Sequence, residues 1–249
     1  MKRLIFTFAF SLVAVNAAAK VSTTGGTLYQ RDGAAAPCTS ASCLSGTSSS
    51  STVDQLRQLR SSVGGDQSPL DLFEYNKGRK QEANCSNFVT ENGLGKWGKS
   101  ISRNLNANDY SYLFEGTDDL RLICPSYSSL KNSEKKIIWI SIINVMSIGE
   151  STCGTDPRMN RAQGPNGRLA GVIQLHSGKE HKYSPGCNKG DSKTPETTFS
   201  CTLHMMDDQL RREGKLFSRK SYWDVLRPQG VGQKFKEIKK VIGQLSICK

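Results

Sequence analysis

Apolar positions in this 249-residue chain fall into a few distinct patterns. Leu4 to Val15 is an apolar run behind Lys2 and Arg3 and ahead of Ala17, Ala18 and Ala19, the three-part pattern of a secretory signal peptide cleaved after Ala19. The run is too short to span a bilayer of roughly 30 Å as a permanent helix, so no stable membrane insertion is expected. From Lys20 to about Ser51 the chain is rich in Ser, Thr, Gly and Ala and almost lacks large apolar residues. Such a segment cannot bury enough surface to fold and reads as a flexible linker. Residues 52–249 then carry the periodicity of one domain.

Within that domain, Thr52 and Gln55 form a capping-box pattern for a short helix through Leu59, stopped by Gly64 and Gly65. A polar, irregular stretch containing Cys85 and Trp97 leads to Thr117, Asp118 and Asp119, which suit a helix start. Pro125 ends or kinks that helix. The strongest pattern begins near Asn132 or Ser133 and runs through Ile137, Trp139, Ile142, Val145 and Ile148 to Glu150, apolar on almost every face. A helix of this kind sits at the centre of a core and is wrapped by other helices. Two amphipathic helices follow. One carries Phe199, Leu203, Met206 and Leu210 after a Thr197/Thr198 cap, and the other carries Phe235, Ile238, Ile242 and Leu245. Between Thr152 and Pro195, Gly, Asn and Pro predict loops with at most short strands. The expected fold is mainly α, with a small irregular or β insert.

Eight cysteines follow the apolar run, and in an exported chain they predict up to four disulfides of unspecified pairing. Cys38 and Cys43 are close enough in sequence to close a small loop together. Formal charge is +12, to which Lys2 and Arg3 contribute two, leaving +10 after cleavage. An anionic partner is therefore expected. His176, Glu180 and His181 have the spacing of neither H-E-x-x-H nor H-x-x-E-H, no C-x-x-C pair occurs, and no metal or cofactor is expected. There is no G-x-S-x-G elbow and no phosphate-binding loop. A basic secreted nuclease is suggested by charge alone and has no active-site motif, so no nucleic-acid partner is expected.

Glu150 closes the apolar helix, where the macrodipole and the neighbours Met146 and Ile148 both favour its neutral form. A carboxylic acid that stays protonated near neutrality can donate its proton to a glycosidic oxygen. Beyond Glu150-Ser151 and a polar loop comes Ala170-Gly171-Val172-Ile173-Gln174-Leu175. Over about Asp119 to Leu226 this order resembles the lysozyme-like superfamily, in particular soluble-type lytic transglycosylases and goose-type lysozymes. In those domains an apolar helix ends in Glu-Ser and a loop or short hairpin then brings in Gly-Leu-Met-Gln.

The resemblance implies a lysozyme-like α+β domain that cleaves the β-1,4 linkage of peptidoglycan glycan strands. Glu150 would be the catalytic acid and Ser151 would help hold it. Val172 and Ile173, after Gly171, would line the groove, and Gln174 would hydrogen-bond the sugar. The family's Ala-Tyr-Asn-Ala-Gly motif is missing, and Tyr222 is the candidate replacement for the tyrosine that touches the acid. No second acid has motif support, Asp156 and Glu180 included, which favours transglycosylation with a single carboxylate over hydrolysis. The alternatives are a hydrolysing lysozyme, acting on ordinary or N-deacetylated glycan, and a non-catalytic wall-binding module. The expected protein is a monomer, exported to the periplasm or beyond.

Overall fold

A computed structural model describes residues 68–78, 83–154 and 162–249. The expected signal peptide, linker and Thr52–Leu59 helix, together with Cys38, Cys43 and Asp156, lie outside the described residues. Mainly helical, the fold has seven α-helices among the described residues: α1 (Ser68–Gly78), α2 (Lys96–Asn104), α3 (Ser111–Glu115), α4 (Asp118–Arg121), α5 (Asn132–Ser151), α6 (Pro195–Glu213) and α7 (Phe235–Gln244). Two small antiparallel sheets accompany them. One pairs β1 (Val89–Thr90) with β2 (Gly93–Leu94). The other has the order β3 (Gln163–Gly164), β4 (Gly167–Ala170) and β5 (Leu175–His176), with Leu169 opposite His176.

Helix α5 is the axis of the core. Ile138, Trp139, Ile140, Ile142, Ile143 and Met146 are fully buried, and α1, α2 and α7 pack around it. Its buried polar groups are all paired, as a dry interior requires. Ser141 and Ser147 donate to carbonyls one turn back, and Asn144 exchanges hydrogen bonds with Asn76 of α1. Trp139 donates to the Leu113 carbonyl and the Tyr127 hydroxyl, which fixes the rotation of the helix. Glu134 closes its N-terminus by accepting the Lys131 N–H.

Three local expectations change. The stretch around Trp97 is helical, because Trp97 and Ile101 form a buried i, i+4 pair. Gly98 lies inside that helix despite its poor propensity, since a Cβ there would sit 2.2 Å from the Phe88 carbonyl oxygen. Helix α6 starts earlier than expected: Thr194 is its cap and accepts from the Thr197 N–H, with Pro195 in the first turn. The 118–123 helix is also shorter, ending at Arg121.

Three disulfides tie the described residues together: Cys85–Cys153, Cys124–Cys248 and Cys187–Cys201. The first two close long loops, and each removes about 4 to 5 kcal/mol of chain entropy from the unfolded state. Among the described residues, no helix is long and apolar enough to cross a membrane.

Candidate functional site

The carboxyl end of α5 runs into two consecutive left-handed residues, Thr152 and Cys153, and Cys153 is anchored to Cys85. Ser151 ties this turn to the next segment. Its hydroxyl donates to the Val172 carbonyl at 2.6 Å and accepts the Gly154 N–H at 2.8 Å. Gly171 then turns with φ +79°, and a Cβ there would lie 2.8 Å from the Ser192 carbonyl oxygen. The close approach and the backbone angle both require glycine.

This turn aims successive side chains in different directions. Val172 and Ile173 are buried in the core, and their carbonyls accept from Ser151 and from the Trp223 indole N–H. They do not line the cavity, which corrects the groove-lining role expected of them; neither does Gly171. Gln174 does reach it. It takes up φ +55°, and its amide N–H donates back to the Gly171 carbonyl at 2.9 Å.

The cavity has a volume of ≈ 450 Å³, within the range of small-ligand sites. Glu150, Gln174, His176, Tyr222, Trp223 and Asp224 are among its walls. Gly149 allows the 224–226 segment to lie against the helix end, its Cβ position being only 3.0 Å from a Val225 methyl. Val225 gives Glu150 a backbone hydrogen bond. Burial pushes the Glu150 carboxyl up to about 7; Lys234 opposes this and Asp224 adds to it. Lys234 is held in place by donating to the Gly149 carbonyl at 2.7 Å, where it also caps the negative end of α5.

Tyr222 lines the same cavity, but its hydroxyl is engaged elsewhere. It accepts the His176 N–H at 2.9 Å, meets His176 Nδ1 at 2.6 Å and donates to the Gln174 carbonyl at 3.3 Å. Because His176 Nε2 accepts the Asn166 N–H, the network assigns the proton to Nδ1 and keeps the imidazole neutral. Burial lowers the His176 pKa in the same sense. Tyr183 stacks on His176 and meets Tyr222 edge-on, and Tyr222 meets Trp223 edge-on, so one wall is a run of aromatic rings.

Glu180 serves structure. Burial would raise its pKa, but the Ser192 hydroxyl and the Gly190 and Ser192 N–H groups hold it down at about 2. Together with the hydrogen-bonded His176, this leaves no free donor pair for a metal at that sequence. The one metal-like cluster among the described residues, Cys187, Asp191 and Cys201, has two of its sulfurs bonded to each other. Sequence reasoning missed Asp224, Trp223 and Arg227, which reach the cavity only through tertiary folding.

The chain resembles DslA. One solved structure of that Bdellovibrio protein, Bd0314 DslA in a glutamate-to-glutamine variant, matches with 25% identity and a TM-score of 0.51, covering 62% of this chain and 91% of that one. The wild-type DslA form and a second glutamate-to-glutamine variant match at 23% identity and a TM-score of 0.49, with the same coverage. No protein family profile matches the chain, and no curated protein does.

Proposed function

We propose that this protein cuts peptidoglycan glycan strands at the β-1,4 linkage between N-acetylmuramic acid and N-acetylglucosamine, with Glu150 as general acid. The observation that supports this most is the placing of a carboxyl pushed up to about 7 on the wall of an aromatic-lined cavity. Such a group keeps a large protonated fraction near neutrality and can give its proton to the glycosidic oxygen as the C–O bond breaks. The resulting carboxylate then takes a proton from the attacking hydroxyl. Lys234 and the Val225 N–H stabilise that anion. The Glu-Ser helix end and the glycine turn that delivers Gln174 follow the order seen in lysozyme-like domains, and a lysozyme-like fold belongs to the same proposal. Such a substrate requires export to the periplasm or beyond.

If the sugar's own 6-hydroxyl attacks, the product is a 1,6-anhydro end and the enzyme is a lytic transglycosylase, the reading favoured by a single motif-supported acid. Asp224 favours a second reading. It is a carboxylate on the same cavity, next in sequence to the residue that hydrogen-bonds Glu150, and could activate water for hydrolysis. Mass spectrometry of fragments released from purified sacculi by the wild type and by Glu150→Gln tests both. Anhydro ends from the wild type alone would establish transglycosylation, and reducing ends would establish hydrolysis. Equal release by both proteins would refute the role of Glu150, and binding without any release would leave a wall-binding module.

A further inference from the structure

Among the described residues, two buried side-chain polar atoms have no hydrogen-bond partner, Gln174 Oε1 and Ser221 Oγ. Both residues line the cavity that holds Glu150. Leaving such an atom unpaired costs about 1 to 3 kcal/mol, and native proteins seldom keep one without a reason. The two atoms ask for different things. Gln174 is oriented by its bond to the Gly171 carbonyl, so its oxygen is an acceptor in want of an N–H or O–H. Ser221 has a hydroxyl proton to give, and rotation about one bond redirects it.

Positive charge is gathered beside Ser221. Arg227 donates to the backbone carbonyls of Ser221 and Tyr222 at 2.7 and 3.2 Å, so neutral acceptors hold its guanidinium at the cavity wall. Arg212, from the last turn of α6, and Lys220 line the same cavity. Lys220 lies 3.9 Å from Glu213, itself on the cavity wall, a loose pair whose lysine is mostly exposed. The plain alternative for Arg212 is a cation that suits the end of its helix; that role alone gives Ser221 no partner.

We propose that Ser221, Arg212 and Arg227 form a subsite for a carboxylate-bearing substituent of the glycan, while Gln174 accepts from an amide or hydroxyl of the same sugar. This rests on the glycosidase reading and narrows it: the protein recognises the acidic ether substituent of the strand as well as its sugar rings. The carboxylate has two sources, the free lactyl acid of a strand stripped of peptide and the acid groups of an attached peptide.

The test is steady-state cleavage of three substrates: peptide-bearing strands, amidase-stripped strands that retain the lactyl acid, and chitin oligosaccharides that carry no carboxylate. The wild type should show its lowest KM on one of the two acidic substrates, which names the source. Arg212→Gln should raise that KM about fivefold, the size of one partly exposed charge pair, with kcat unchanged and no effect on the chitin oligosaccharide. Ser221→Ala should raise the same KM while leaving the melting temperature of the free protein unchanged or higher, because it deletes an unsatisfied buried group. Equal KM values on all three substrates, or a Ser221→Ala protein that melts earlier without a change in KM, would overturn the subsite and leave the glycosidase reading standing. Should no substrate be cleaved, the glycosidase reading falls, and calorimetric binding of the same three ligands decides the subsite: preference for the acidic ones keeps it, and none removes it.

Discussion

Replacing Glu150 by glutamine should make the protein more stable, by a margin that opens above about pH 4.5 and is complete by about pH 7. In the folded protein the Glu150 carboxyl titrates at about 7, raised chiefly by burial, against 4.5 for an unperturbed glutamate. A group whose folded pKa lies above its unfolded value supports the fold fully below the unfolded pKa and loses that support as pH rises through the folded one. At pH 4 the carboxyl is neutral in both states, and wild type and Glu150→Gln should unfold alike. Above pH 7 the wild type must hold an ionised carboxylate that burial disfavours. Each pH unit between the two values corresponds to about 1.4 kcal/mol, so the gap is worth ~3 kcal/mol as an upper figure. Glutamine keeps the shape and an acceptor for the Val225 N–H and escapes that cost. For a domain of this size, 1 kcal/mol moves the melting temperature about 2 to 4 °C, giving a variant that melts ~6 to 12 °C higher at pH 8.5. Thermal unfolding of the two oxidised proteins from pH 4 to 8.5 measures the difference directly, and the other titrating groups cancel in the comparison. A difference that stays flat across that range would refute the raised pKa, and with it the reason for calling Glu150 an acid.

Two further outcomes follow from the same geometry. Lys234→Gln removes the cation that opposes burial at Glu150, so the alkaline limb of the activity profile should move to higher pH, which a pH–rate series on sacculi would register. Gly171→Ala places a Cβ 2.8 Å from the Ser192 carbonyl oxygen at φ +79° and should cost about 2 kcal/mol or more, read as a lower urea midpoint.

Helix α5 was legible because its apolar residues crowd the stretch from Ile137 to Ile148 on almost every face, and a buried helix accommodates them. The same signal located Glu150, since the helix ends there. What failed to show in the sequence was direction. Val172 and Ile173 sit in the right segment, yet the left-handed turns at Gly171 and Gln174 send them into the core and bring Gln174 alone to the cavity. Asp224 and Arg227 carried no local signal at all, because they approach Glu150 only when the 224–226 segment folds across the helix end at Gly149. The N-terminal helices were hidden for another reason. Helix α2 has only two large apolar residues in nine, and a glycine between them that propensity alone would count as a breaker.

The bond from Cys85 to Cys153 encloses α2, α3, α4 and all of α5 in one covalent ring whose clasp lies three residues past Glu150. Helix ends ordinarily fray, and the last turn is where amide exchange is fastest. Here an opening of that turn has to drag the 83–90 segment with it, so the helix end that presents Glu150 to the cavity belongs to the rigid part of the molecule.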